Sequence, residues 1–193
     1  MTDELDELLF QKYRLRRSDM LAALKAMPAI RPWATELSAD EARLLDEAGF
    51  TEDPDAYAGV AADVLAHVGL LINTAFSAGE VAGALGVNES RVRQRRLART
   101  LWAIYDNGAW VFPMMQFESD PKTGGYKQIR GLDRVFAALP DDLHPVAVAG
   151  FLRTPHVDLT VGGRPLPPVG WLSSGGDVAR VLRLVEAADW AGR

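Results

Sequence analysis

The sequence predicts a mainly α-helical chain that carries a small β-hairpin. Three observations lead there. Apolar residues recur at helical spacing in most segments, which open on Ser, Asp or Asn and close on Gly or Pro. Two β-prone runs, residues 101–105 and 109–112, flank Asp106-Asn107-Gly108, a strong turn signal. Residues 76–113 place a capped helix, a glycine, a second capped helix and that hairpin in immediate succession. The expected architecture is a winged helix-turn-helix followed by a small helical C-terminal domain. Its segments are a helical region over 1–74, suited to dimerisation, the winged motif over 75–117, and the C-terminal domain over 127–193.

At the N-terminus, Leu5, Leu8, Leu9 and Tyr13 repeat at helical spacing, with Arg14, Arg16 and Arg17 at the basic end. That polarity suits a helix dipole. Ser18 or Asp19 is placed to cap a second helix over 20–27, and Pro28 and Pro32 bracket a turn anchored by Trp33. Ser38 and Glu41 form a capping box for a third helix that stops at Gly49. Residues 50–54 read as a loop. Residues 55–73 then form a long apolar helix whose broad face predicts burial on several sides, with His67 as a packed or rim residue.

The centre of the chain is more specific. Ser77 and Glu80 make another capping box, and Val81, Ala82 and Leu85 give the helix after it one apolar face. Gly86 follows, where the chain must turn through positive φ. Asn88 or Ser90 caps the next helix, which runs to about Ala98. Ala82 is small where two helices cross, and Val92 pins the second helix onto the first. These intervals are those of a helix-turn-helix.

The second helix carries Arg91, Arg93, Arg95, Arg96 and Arg99 within nine residues, with Gln94 among them. Arginine neutralises phosphates and pairs bidentately with guanine, and glutamine pairs with adenine. A solvated basic face is the plainer alternative. The density in an acidic chain favours double-stranded DNA as the partner, through Asn88, Ser90, Arg91, Arg93, Gln94 and Arg95. Arg95 and Arg96 fall three and four residues after Val92, where an apolar face is expected; Leu97 and Leu101 are then left to supply the packing. The hairpin that follows serves either as a wing on the duplex or as a cover for the core.

The net charge of −5 is unevenly spread. Residues 71–130 hold 5 acidic and 8 basic groups, whereas residues 1–70 hold 14 acidic and 7 basic. The positive charge therefore lies where the motif lies, which is compatible with DNA binding by an acidic protein. No apolar run approaches the roughly 18 residues of a membrane span. The first residues lack a basic stretch before an apolar core, so no secretion signal is expected and a cytoplasmic location is. The absence of cysteine excludes disulfides, thiolate zinc sites and cysteine nucleophiles.

Beyond the hairpin, Glu118 to Tyr126 reads as a turn-rich boundary, with Lys122, Lys127 and Arg130 as possible extensions of the basic surface. Residues 132–139 form a short helix closed by Pro140. Asp141-Asp142 supply a carboxylate cap for the next, with Pro145 in its first turn. Residues 157–161 and 164–166 make a second hairpin about Gly162-Gly163, residues 167–172 a short helix, and residues 178–190 a last helix capped by Asp177. The chain shows no G-x-S-x-G, P-loop, Rossmann or H-E-x-x-H frame, and His156 with Asp158 is at most two of the ligands a metal needs. No enzyme activity, metal or cofactor is expected.

Two stretches, GEVAGALGVNESRVRQRRLARTLWAIYDNGAWVFPMMQF and LPDDLHPVAVAGFLRTPHVDLTVGGRPLPPVGWLSSGGDVARVL, together resemble a group of actinobacterial helix-turn-helix DNA-binding proteins. Their C-terminal region is similar to the toxin-binding domain of Xre/MbcA/ParS-type antitoxins. The residues that carry this are Phe151-Leu152, Thr154-Pro155, Leu159, residues 163–166, Pro168, Trp171-Leu172 and Gly175-Gly176. The resemblance implies an antitoxin that represses its own operon and neutralises a RES-type toxin; a homodimer is expected because a helix-turn-helix usually works on a two-fold site. The partner contact is expected at Arg164, Trp171, Leu172, Val181 and Val185. The alternatives are a helix-turn-helix transcription regulator without a toxin, or a protein-interaction adaptor.

Overall fold

A computed structural model describes residues 4–13, 15–26, 38–49 and 54–188. The chain divides into two compact units, residues 1–70 and 71–193. The described part is mainly helical, with three separate two-stranded antiparallel sheets. The turn expected at Pro28, Pro32 and Trp33 and residues 50–53 of the loop expected over 50–54 lie outside the described residues; the last helix, expected to reach Trp190, ends at Ala187, with Ala188 extended.

The first unit holds α1 (Glu4–Tyr13), α2 (Arg17–Ala26), α3 (Ala39–Glu47) and most of α4 (Pro54–Asn73). Asp19 is buried; its Oδ2 accepts from the Arg16 backbone N–H at 2.8 Å, closing the first turn of α2. The capping box of α3 is formed, with Ser38 N–H on Glu41 Oε2 at 2.8 Å and Glu41 N–H on Ser38 Oγ at 3.3 Å. Leu15 is buried and packs on Gly69, where an added Cβ would lie 2.5 Å from Leu15 Cδ2. The helix α4 is less buried than its composition predicts. Val60 and Leu70 are exposed, and so is His67, whose Nδ1 lies 2.8 Å from the Asp63 carbonyl. A broad apolar face needs neighbours on every side, and in this unit it has them on one only along 59–70.

The second unit begins with the end of α4 and continues through α5 (Ala78–Leu85) and α6 (Glu89–Leu97). Both halves of the α5 capping box are present: Ser77 Oγ accepts from Glu80 N–H, and Glu80 Oε2 accepts from Ser77 N–H at 2.7 Å. The Ser77 backbone bond and then its hydroxyl hold the Glu80 carboxyl below the usual glutamate range. Gly86 ends α5 at φ 62°, and Val87 N–H reaches back to the Ala82 carbonyl at 2.9 Å. Asn88, not Ser90, caps α6: its Oδ1 accepts from Arg91 N–H at 2.9 Å.

The hairpin follows as β1 (Ile104–Asp106) and β2 (Ala109–Val111), paired Ile104↔Val111, Tyr105↔Trp110 and Asp106↔Ala109. Asn107 and Gly108 both take positive φ, 44° and 87°, which matches the right-handed twist of a two-residue turn. The first strand starts later than expected, because residues 101–103 are bent away to pack. Phe112 adds a bridge to Phe76, with both backbone bonds made at 2.8 and 2.9 Å. Val81, Ala82, Val92, Leu101, Phe112 and Phe117 form the core beneath these elements.

Residues 118–126, expected as a turn-rich boundary loop, form a hairpin. They close β3 (Phe117–Ser119) onto β4 (Tyr126–Gln128), with Lys127 Nζ 3.4 Å from its cross-strand neighbour Glu118. Asp120 organises the turn by accepting from Lys122 N–H and Thr123 Oγ, each at 3.1 Å. Polar, glycine-containing turns resemble linkers in sequence, and here the flanking Phe117 and Tyr126 pack on Phe76 instead.

The remaining elements are α7 (Leu132–Ala138), α8 (Pro145–Arg153), β5 (His156–Val161), β6 (Arg164–Leu166), α9 (Pro168–Ser173) and α10 (Val178–Ala187). They enclose a second core that includes Leu132, Val135, Leu152, Leu159 and Val181. The cap of α8 is His144 rather than Asp141 or Asp142: its Nδ1 accepts from Val146 N–H at 3.3 Å. That bond needs a neutral ring, and burial pushes the His144 imidazole below the usual histidine range. A folded-state pKa below the unfolded one means this stability is fully present above the unfolded value of about 6.5 and is lost as pH falls below that value and through the lower folded-state one. His144→Asn, which caps without titrating, is expected to flatten the pH–Tm profile in the range below about pH 6.5. Thermal scans across that range check it.

Gly176 explains its own place in the sequence. A Cβ there would sit 2.2 Å from Trp171 Cε2, inside the indole ring. The ring is also tied by Nε1–H donating to the Asp177 carbonyl at 3.0 Å. Gly176→Ala must therefore displace a buried tryptophan, and a loss of about 1–3 kcal/mol is expected in chemical denaturation.

Candidate nucleic-acid interface

The five arginines of the basic segment have two different fates. Arg91 and Arg93 are exposed on α6, and Gln94 stands beside them, also exposed. Arg91 Nη1 donates to Gln94 Oε1 at 3.1 Å, which ties the two side chains into one polar edge. Val92 between them is fully buried, as the pinning role requires. One helical face is thus fixed inward and the opposite one is left to solvent.

Arg95, Arg96 and Arg99 are turned to internal use. Arg95 is half-buried and donates to Gln128 Oε1, while Gln128 Nε2 donates to the Thr100 carbonyl at 2.7 Å. Desolvation lowers the Arg95 pKa from its ordinary value. Arg96 stacks its guanidinium 3.9 Å from the centroid of a Trp110 ring. Arg99 takes φ 56° where α6 ends, and its Nη2 donates to the carbonyls of Phe136 and Leu139. Those are carbonyls left open at the end of α7. The charges that fell on the expected inner face are therefore clamps. Arg95 is accordingly removed from the exposed set, because its guanidinium is already committed to β4. Leu97, expected to pack, is 63% exposed, and Leu101 alone does that work at 2%.

Asn88 and Ser90 are exposed and share a shallow depression with Gly86, Val87, Arg91 and Gln94. The Asn88 carbonyl oxygen is used in the cap, which leaves its amide N–H groups for a ligand. A second depression runs from Arg93 and Ser90 to Gly108 and Trp110 of the hairpin. On the facing strand Tyr105, not foreseen as a surface group, is 60% exposed and packs at a tilt against Trp110 with centroids 5.1 Å apart. The cross-strand pairing set by Asn107-Gly108 was the available signal. Of the other basic groups, Lys127 is paired with Glu118, and Lys122 and Arg130 are exposed beyond β3 and β4.

The residues expected to meet a protein partner are mostly interior. Trp171, Leu172, Val181 and Val185 belong to the C-terminal core, at 9%, 4%, 0% and 5% exposure. Their apolar character, read as a docking face, is what packs α9 and α10 onto α7 and β5. Only Arg164 is exposed, on β6. Nearby, Val157 and Val161 of β5 are 75% and 54% exposed. His156 and Asp158 form a close pair at 3.5 Å, and among the described residues no group of three His, Asp or Glu side chains could hold a metal. Among those residues, too, no helix is long and apolar enough to cross a membrane.

No family model, curated protein or solved structure matches the chain significantly.

Proposed function

We propose that this chain is a sequence-specific DNA-binding regulator of the winged helix-turn-helix kind, working as a homodimer on a two-fold operator. One observation carries the reading. Arg91, Arg93 and Gln94 stand exposed and adjacent on α6, while Arg95 and Arg99 are hydrogen-bonded within the protein and Arg96 lies over the Trp110 ring. The order of elements supports it: a helix, a bridging residue at Phe76, two helices about a three-residue turn, then the hairpin. In this reading α6 enters a major groove by its N-terminal half, and Asn107 and Gly108 approach the backbone as a wing. Arg91 and Gln94 are the base-reading pair, and Arg93 faces phosphate.

Fluorescence anisotropy against the duplex upstream of the gene, and against a scrambled duplex, tests this. Binding should favour the upstream duplex by at least about 1000-fold at physiological salt, the lower end for specific recognition. Equal affinity for both duplexes, vanishing near that salt, would indicate an adaptor that only attracts polyanions.

The further role of neutralising a RES-type toxin rests on the sequence resemblance. The exposed Val157, Val161 and Arg164 on the β5–β6 hairpin favour a protein contact there. Co-expression with the adjacent reading frame followed by pull-down tests it. No co-purification, or co-purification unaffected by Val157→Asp, removes this surface from the account.

A further inference from the structure

A cleft of about 350 Å³ lies between the end of α6, the hairpin and the α7–α8 junction. That volume is within the ~300–1,000 Å³ range of small-molecule sites. Its lining is unusually mixed for a surface groove. Trp102 and Phe136 pack together on one side, 6.2 Å between centroids, and Leu139, Leu143 and Val148 extend the apolar wall. At the mouth stand Trp110, 40% exposed, and Leu97, 63% exposed.

The charge is lopsided as well. Arg96 and Arg99 both line the cleft, and Asp141 is the one carboxylate there. Arg99 is held by the α7 carbonyls through Nη2 alone. The Arg96 guanidinium lies over the Trp110 ring and, among the described residues, makes no side-chain hydrogen bond or ion pair. A cation stacked on a ring keeps most of its donors open. Two guanidinium groups against one carboxylate leave a net positive charge of one beside three aromatic rings.

We propose that this cleft binds a small planar aromatic monocarboxylate. The ring of the ligand lies against Trp102 and the apolar wall, and its carboxylate pairs with Arg96, with Arg99 behind it. The planar fork of arginine suits a carboxylate, and a partly desolvated pair of this kind is worth more than a surface one. Because Arg96 belongs to α6, occupancy pulls on the same helix that carries Arg91 and Arg93. The site itself does not depend on DNA binding, so it can be tested without DNA.

The probe is 2-naphthoate, with neutral 2-naphthamide as its isostere, titrated calorimetrically into the full chain. Naphthoate is expected to bind with Kd of about 1 mM or tighter, from ligand efficiency at this size. The amide should bind about 10-fold weaker or more, for loss of a charge-assisted bond. Arg96→Gln should erase the difference between the two ligands. Asp141→Asn, at an exposed position that leaves the core untouched, should tighten naphthoate by several-fold and leave the amide unchanged. Equal affinity for acid and amide, no saturable heat from naphthoate, or an Asp141→Asn variant with unchanged naphthoate affinity would each overturn the proposal. A DNA-binding failure would leave all these outcomes readable.

Discussion

Replacing Arg91 and Arg93 together by alanine is expected to weaken binding to the upstream duplex by about 100-fold per protomer, with little change in Tm. The reasoning starts from exposure. Both side chains are in solvent, and neither supports the core, so their removal costs the fold little. On DNA they would give one base contact and one phosphate contact, and losses of about 1–3 kcal/mol at the base are typical. Removing the phosphate contact should also reduce the salt slope by about 1 per protomer. Anisotropy titrations over a salt series read both quantities. Arg95→Ala makes the contrast: its guanidinium is tied to Gln128, so it should lower stability before it lowers specificity.

The second large effect is on stability, at Gln116. This residue is fully buried between β2 and β3. Its Nε2 donates to the carbonyls of Trp102 at 2.8 Å and Pro113 at 3.1 Å, and its Oε1 accepts from Trp102 N–H at 3.0 Å. It therefore does for residue 102 what a neighbouring strand would do. Gln116→Leu keeps the shape and deletes all three bonds. The N–H and carbonyl of Trp102 lose these partners, while the Pro113 carbonyl keeps only a long 3.4 Å bond from the Gln116 backbone N–H, and each stranded group costs about 1–3 kcal/mol. A total near 3 kcal/mol or more is expected in urea denaturation, which is a large part of the stability of a chain this size. Because Trp102 also lines the cleft beside Phe136, the variant should bind naphthoate more weakly. Gln116→Glu, which keeps the size but turns a carboxylate oxygen toward those two carbonyls, should be at least as destabilising at neutral pH.

Much of this arrangement could be read from the residues, for local reasons. The capping boxes at Ser38 and Ser77, the turn at Gly86 and the Asn107-Gly108 hairpin each satisfy backbone groups within a few residues of themselves. Such signals survive in a single sequence. What could not be read was long-range. Nothing within ten residues of Arg95 or Arg99 announces Gln128 or the carbonyls of Phe136 and Leu139. The spacing of Arg95 and Arg96 after Val92 marked them as out of place on a solvated face, but not what they would bind. The same holds for Trp171 and Val181, where an apolar face fits a core and a docking surface equally well until neighbours are known. The turn at residues 120–125 has the composition of a linker, and only its flanking aromatics, packed on Phe76, reveal a hairpin.

The most direct measurement is an amide NMR titration of labelled protein with the upstream duplex at about 150 mM salt, where long-range attraction is screened beyond about 8 Å. The account predicts that shifts concentrate on residues 88–94 and 105–110, with the side-chain amide of Gln94 among the largest. Shifts confined to other surfaces, with residues 88–94 unmoved at saturation, would contradict it.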